Sequence, residues 1–229
     1  MFIGHFGVAL AAKRVAPEVS IGTLFLAAQF ADLLWPNLVL LGIERVDIAP
    51  GITAVTPLDF VSYPYSHSLL ALALWGGLFA AVHWAVRRRG GVVPWLLGAL
   101  VLSHWLLDAA SHRPDMPLVI GGGPLVGLGL WNSVAATVVM ETALFLAGVS
   151  LYVRSTRALD RTGVFALWGL VAFLLFISFA NLMGPPPPSS LAVAWVAQSI
   201  WLLVFWGYWI DRHRAPRVTA PGSAPAASS

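Results

Sequence analysis

The chain has 229 residues, of which 59% are hydrophobic and only 10% are charged. Soluble domains carry about 25% charged residues, so this composition excludes an ordinary soluble globular protein. The chain has no cysteine, which excludes disulfides and thiolate metal sites. Its net charge of +3 comes from arginines in short loops, which indicates membrane topology and argues against nucleic-acid binding.

Six apolar stretches are long enough to cross a bilayer, which takes about 20 residues of helix. They cover residues 21–41, 67–86, 92–110, 128–153, 164–183 and 191–210. A shorter apolar segment, residues 2–12, comes before them, and we expect Pro36 to kink or end the first long helix. The predicted fold is therefore all-α: a polytopic integral membrane helical bundle of about six transmembrane helices with a short N-terminal membrane helix.

We predict one membrane-embedded helical domain over residues 1–213. Residues 1–115 carry the candidate site, and residues 160–211, rich in Phe and Trp, supply scaffold helices. Residues 214–229 are rich in Pro, Ala and Ser and predict a disordered cytoplasmic tail. Lys13 and Arg14 follow the first apolar segment and do not precede it, so no cleavable signal peptide is expected.

The basic residues define a topology. Eleven of the 13 Lys and Arg residues share one side of the membrane if six crossings follow Arg14. They are Lys13, Arg14, Arg87, Arg88, Arg89, Arg154, Arg157, Arg161, Arg212, Arg214 and Arg217. Positively charged loops stay in the cytoplasm, so we predict a multi-pass protein of a cytoplasmic membrane with a cytoplasmic C-terminus.

Several ionisable residues fall inside the predicted spans, where they are costly and usually have a partner and a function. With a rise of about 1.5 Å per residue, Asp32 and His104 both lie roughly 18 Å above the cytoplasmic ends of their helices. Asp108 is one turn higher, His67 starts its helix at the outer surface, and His5 reaches a similar height. Four separate segments thus bring His or Asp to one outer layer of the bundle.

His104, Asp108 and His112 are spaced i, i+4 and i+8 and share one helix face. Imidazole and carboxylate one turn apart suit a divalent metal ion, zinc first, with manganese or iron as alternatives. A structural hydrogen bond between two helices is the other reading of the pair formed by His104 and Asp108.

Further polar residues surround these candidates. Ser66, Ser68 and Asn132 could orient metal ligands, and His112 could add to them or simply lie in the outer loop. Glu141 lies deeper, near the midplane of the membrane, where it could carry protons.

The order of these motifs resembles a known family. Gly4-His5-Phe6-Gly7, Asp32, Ser66-His67-Ser68 and His104-x-x-x-Asp108 are similar to the YdjM-like bacterial inner-membrane proteins, over roughly the first 115 residues. Those proteins are described as predicted membrane-bound metal-dependent hydrolases. The resemblance implies a bacterial inner-membrane protein whose metal ligands are His5, Asp32, His67, His104 and Asp108.

The chain departs from that family at two places. Leu34 stands where the family usually has a second acidic residue, and Ser62-Tyr63-Pro64-Tyr65 stands where it often has a His-Arg pair. If those residues matter for chemistry, this chain binds a metal without hydrolysing a substrate.

Three functions are compatible with the sequence. The first is a metal-dependent hydrolase in the outer half of the bilayer, acting on a lipid or phosphoester, in which Asp32 or Asp108 could be a base instead of a ligand. The second is a permease or an ion- or proton-coupled carrier that uses the buried His, Asp and Glu residues. The third is a non-catalytic structural membrane protein. The expected partners are membrane lipids and not nucleic acid, and the sequence indicates no oligomeric state.

Overall fold

The computed structural model describes residues 1–88 and 91–217. Arg89 of the predicted basic loops and residues 218–229 of the predicted tail lie outside the described residues. The helices are α1 (Ile3–Ala12), α2 (Ile21–Ala28), α3 (Phe30–Leu40), α4 (Pro64–His67), α5 (Leu69–Arg87), α6 (Val92–Ser111), α7 (Val134–Ser155), α8 (Arg161–Met183), α9 (Ser190–Ala197) and α10 (Ile200–Arg212). Short strands form three antiparallel pairs: β1 (Arg45–Ile48) with β2 (Leu58–Ser62), β3 (Met116–Pro117) with β4 (Leu125–Val126), and β5 (Thr156–Ala158) with β6 (Arg214–Pro216).

The structure is mostly helical, and several of its helices suit a membrane. Within the described residues, five helical segments are long and apolar enough to cross a bilayer: α5, α6, α7, α8, and α9 with α10 taken together. The bent pair α2 and α3 is a sixth if it counts as one span. The short apolar helix predicted at the N-terminus is α1, and eight of its ten residues are buried. The all-α prediction agrees with this architecture.

The first long apolar segment bends at Gln29 and not at Pro36, so the predicted position of the kink was wrong. The axes of α2 and α3 meet at 54° across Gln29, whereas Pro36 lies inside α3. The break leaves the carbonyl of Ala28 at the end of α2, where it accepts a hydrogen bond from His104 of α6. This tertiary contact replaces a helical hydrogen bond, and no local sequence signal reveals it.

Glycines allow α1 and α7 to cross in backbone contact. A Cβ atom on Gly148 would lie 2.0 Å from the carbonyl oxygen of Gly7. Small residues permit such close approach between membrane helices, which then associate through dense packing. The crossing holds α1 inside the bundle and thereby fixes the position of His5, two residues before Gly7.

The basic segments after α1, α7 and α10 gather at one end of the bundle. Strand β6 pairs with β5, so the chain after α10 lies against the turn between α7 and α8. Lys13, just after α1, reaches Asp211 near the end of α10, with Nζ 3.4 Å from Oδ1. Residues 214–216 were predicted to be part of the disordered tail, but they form β6 because the backbone after Thr156 offers a partner strand.

Candidate metal centre

The centre is built on one face of α6. His104 and Asp108 are one turn apart, and both are almost completely buried. His104 Nε2 lies 3.1 Å from Asp108 Oδ2. Side chains at i and i+4 point to the same side of a helix. The two residues therefore lie side by side, as their spacing predicts.

Asp32 from α3 and His67 from α4 complete a compact group. Oδ1 of Asp32 lies 3.5 Å from His67 Nε2 and 3.6 Å from His104 Nε2. His67 Nε2 is also 3.8 Å from Asp108 Oδ2. Two imidazole nitrogens and two carboxylate oxygens from three segments of the chain therefore lie close together. We call Asp32, His67, His104 and Asp108 the four-ligand set.

Several separations within the four-ligand set suit ligands of one metal ion. Bonds of about 2.0–2.2 Å from zinc to nitrogen and oxygen place neighbouring ligand atoms roughly 3.3–3.6 Å apart. Four pairs of ligand atoms in the set lie 3.1 to 3.8 Å apart, and Asp32, His67 and His104 by themselves could hold an ion. His104 Nε2 is buried and makes no hydrogen bond of suitable geometry within residues 1–88 and 91–217, although carboxylates lie close to it. Unpaired buried nitrogens beside carboxylates favour a cation between them.

The ring of His104 is oriented by the break between α2 and α3. Its Nδ1 lies 2.8 Å from the carbonyl oxygen of Ala28. A carbonyl only accepts hydrogen bonds, so Nδ1 carries the proton. In the neutral ring Nε2 then has a free lone pair, which is the state that binds a metal.

His67 is oriented in the same way by a relay that ends on Glu44. Ser66 Oγ lies 2.6 Å from Glu44 Oε2 and 2.7 Å from His67 Nδ1. A carboxylate accepts, so the single hydroxyl proton of Ser66 goes to Glu44, and the hydroxyl oxygen accepts from Nδ1–H of His67. Both histidines of the four-ligand set thus present Nε2 lone pairs to it.

Glu44 lies in the turn after α3 and was not identified from the sequence. The carboxylate is buried, and its Oε1 accepts the backbone amides of Tyr65 and Ser66 at 2.8 and 2.9 Å. These contacts anchor the start of α4 to the end of α3. Glu44 and His67 are far apart in the sequence, so only the fold shows that they are linked through Ser66.

His5 lies beside the four-ligand set on the far side of Asp108. Its Nε2 is 3.1 Å from Asp108 Oδ1, and its ring stacks on that of His104 with centroids 3.8 Å apart and planes 3° from parallel. The amino group of Met1 contacts the same carboxylate oxygen. His5 therefore holds the oxygen of Asp108 that faces away from His67. A group of His5, His104 and Asp108 could itself hold an ion.

The remaining candidate residues have other contacts. Ser68 is the N-cap of α5 and accepts the amide of Ala71 at 3.1 Å. Asn132 is exposed in a 3₁₀ turn and makes no side-chain hydrogen bond to the four-ligand set in the part of the chain that the structure describes. Glu141 Oε2 accepts the amides of Phe2 and Ile3, each at 2.9 Å, at the N-terminus of α1.

His112, just after α6, belongs to a separate polar group. Its Nδ1 lies 3.0 Å from Asp115 Oδ1, and the hydroxyl of Tyr63 donates to the same oxygen at 3.0 Å. Burial, followed by the nearby Asp115 carboxylate, raises the pKa of Tyr63, so its hydroxyl stays protonated. Burial also lowers the pKa of His112, which keeps that ring neutral near pH 7. Neither Tyr63 nor Asp115 was identified from the sequence.

A cavity of about 1070 Å³ opens beside the four-ligand set. Asp32, His67, Asp108, His112 and Glu141 line its polar end. Residues of α8, α9 and α10 supply much of its apolar lining. Binding sites for small molecules commonly enclose about 300–1,000 Å³, so this cavity accommodates a large ligand.

Comparisons of the chain with models of protein families, with curated proteins and with solved structures gave no match.

Proposed function

We propose that this protein is a multi-pass bacterial membrane protein that acts as a metal-dependent hydrolase, with its ion held by Asp32, His67, His104 and Asp108. The observation that carries the proposal is the group of two imidazole nitrogens and two carboxylate oxygens beside a large cavity, in which each nitrogen lies 3.1–3.8 Å from an oxygen of both carboxylates. A divalent ion bound there would lower the pKa of a water molecule and polarise a carbonyl or phosphoryl oxygen. Zinc suits the two nitrogens and two oxygens, and manganese or iron are alternatives.

The exposure of the ligands supports a reactive site over a sealed structural one. The side chain of Asp32 is 25% exposed, whereas His67 and Asp108 are each 4% exposed and His104 is fully buried. Asp32 lines the cavity, so a substrate in the cavity meets this ligand first. Catalytic zinc sites keep a position open to water or substrate, and Asp32 is the ligand best placed to yield one.

The hydrogen bonds that orient the two histidines support the same role. Ser66 and the Ala28 carbonyl each fix one imidazole in the tautomer that ligates a metal. Such contacts orient ligands and raise their basicity. His112, neutral and held by Asp115, lines the cavity near the four-ligand set and is placed to accept or return a proton.

Topology supports a site in the outer half of the bilayer. The basic segments after α1, α7 and α10 meet at one end, which the positive-inside rule assigns to the cytoplasm. Asp32 lies in the first turn of α3, just past the midpoint of the span formed by α2 and α3, and His104 and Asp108 lie in the half of α6 away from that end. A substrate that resides in the membrane could then reach the cavity from the bilayer.

The test is the metal content of detergent-purified protein, measured by plasma mass spectrometry. We expect near-stoichiometric zinc, manganese or iron in the wild type and its loss in Asp108→Asn. Asp47→Asn is the matched control, because Asp47 pairs with Arg45 on an exposed strand outside the centre. Absence of metal in the wild type after incubation with excess ion would overturn the proposal.

A further inference from the structure

Among the described residues, the Asp, Glu, Lys and Arg side chains that line the cavity are all acidic. Its lining includes the carboxylates of Asp32, Asp108 and Glu141. It includes no Lys or Arg side chain from residues 1–88 or 91–217. The amino group of Met1 also lines the cavity, but it is already in contact with Asp108. The polar end of the cavity is therefore built for cations and neutral groups.

The arginines that follow the site-bearing helices are already paired. Arg113 contacts Asp59 and lies 3.0 Å from Asp115, measured from Nε to Oδ2. Arg45 lies 2.5 Å from Asp47, measured from Nη2 to Oδ2. Neither arginine lines the cavity. A bound phosphate could recruit one of them only by separating an existing ion pair.

The charge balance disfavours an anionic headgroup. A divalent ion would offset two of the three carboxylates of the lining, and no described Lys or Arg side chain lines the cavity to offset a further negative charge. Proteins bind phosphate groups with Arg or Lys, whose charge offsets that of the phosphate. A dianion placed here would carry uncompensated charge in a medium of low dielectric constant, where repulsion is strong.

Much of the remaining lining of the cavity is apolar. It includes Phe173 and Phe179 of α8, Val196 of α9, and Leu203 and Trp206 of α10. A hydrocarbon chain against these side chains stays in apolar surroundings, while its polar end can meet Asp32, which lines the same cavity. The volume and the two kinds of lining match an amphiphile with an apolar part and a compact head.

We infer that the substrate is a membrane amphiphile with an uncharged headgroup joined through an acyl ester, and that it is not a phosphate monoester. This inference rests on the proposed function and specifies its substrate class. In the reaction, water adds to the acyl carbon and the carbon–oxygen bond to the headgroup breaks. The headgroup leaves as an alcohol with one proton from the water, and a carboxylic acid remains.

The experiment compares two lipids that differ only in one phosphate: monooleoylglycerol and oleoyl-lysophosphatidic acid. The initial rate of release of radiolabelled oleate from each, at equal low concentration, is measured with metal-loaded full-length protein in a neutral detergent. We expect monooleoylglycerol to be hydrolysed at least about tenfold faster. Release of oleate from neither lipid, equal rates, or faster release from the phosphorylated lipid would overturn the inference.

A charge-introducing variant locates the preference in this cavity. Thr142 of α7 lines the cavity beside Glu141, so Thr142→Arg should shift the preference toward the phosphorylated lipid by about tenfold. Thr162→Arg, at the start of α8 and outside the lining, should leave the preference unchanged. Thr56→Arg, in the loop that also lines the cavity, repeats the test without altering a helix. An unchanged preference in both cavity variants would overturn the inference.

Metal content measured on the same samples separates the two proposals. Protein that lacks metal would contradict the proposed function. Protein that holds metal but does not hydrolyse monooleoylglycerol faster than the phosphorylated lipid would contradict only the substrate class.

Discussion

The hydroxyl of Ser66 lies 2.7 Å from Nδ1 of His67, the residue that follows it. Because the same hydroxyl donates to Glu44, it fixes the imidazole tautomer and turns Nε2 toward Asp32 and Asp108. One serine thus connects a buried carboxylate to the candidate metal centre.

Removing that hydroxyl should weaken metal binding. We expect Ser66→Ala to lower the affinity for zinc by about 10–100-fold, the usual effect of losing a contact that orients a metal ligand. Competition with a zinc-binding dye, followed at equilibrium in detergent, measures the affinity.

Ser68→Ala is the matched control for that variant. Ser68 is buried like Ser66, but it caps α5 through the amide of Ala71. Its loss should cost about 0.5–2 kcal/mol of stability and leave the zinc affinity unchanged. Equal zinc affinities in the two serine variants would contradict the relay from Glu44 to His67.

Removal of the metal should destabilise the protein. A ligand that binds only the folded state stabilises it by about 2.7 kcal/mol when its free concentration is 100 times its dissociation constant. We expect EDTA to lower the thermal midpoint of the wild type in detergent, and re-addition of zinc to restore it. The thermal midpoint of Asp108→Asn should respond to neither treatment. A wild type whose thermal midpoint does not change with EDTA would argue against a resident ion.

The contact between α1 and α7 should tolerate no side chain. Gly148→Val would force α1 away from α7, because even a Cβ atom would clash with the carbonyl of Gly7. Overpacking of this kind costs about 1–3 kcal/mol, and the displacement of His5 should also reduce metal retention. Gly77→Val is the control, since a Cβ atom there has no neighbour within 4 Å among the described residues. Thermal midpoints and metal content of both variants provide the comparison.

Glu141 distinguishes a hydrolase from a proton-coupled carrier. Its carboxylate accepts two amides at the N-terminus of α1, where a negative charge interacts favourably with the helix dipole. We expect Glu141→Gln to cost about 0.3–2 kcal/mol of stability while keeping the metal. Ion flux in proteoliposomes that is present in the wild type and absent from this variant would instead favour the carrier.

Much of the helical architecture follows from local properties of the sequence. The lengths of the apolar stretches predict α5 to α8, because a helix is the simplest way to satisfy backbone hydrogen bonds in lipid. The spacing of His104 and Asp108 predicts that they share a face of α6, since that relation needs only helical geometry. The common height of Asp32 and His104 was also predicted, from the rise per residue alone.

Other features depend on contacts between distant segments. The bend at Gln29 was not predicted, because the N–H group that donates to the Ala28 carbonyl belongs to His104 of α6. Glu44 was missed because its partners follow a β-hairpin whose length and pairing place α4 beside the end of α3.

By itself, the sequence determined the helices, their order and the residue types that could bind a metal, since composition and periodicity act over one or two helical turns. Only the tertiary structure decided which of those residues meet. It brought Asp32 and His67 to the His104 face through a broken helix and a short turn, and it opened a cavity beside them. The reason is physical: a ligand set requires positions fixed to within a fraction of an ångström, and those come from packing between elements that local sequence does not encode.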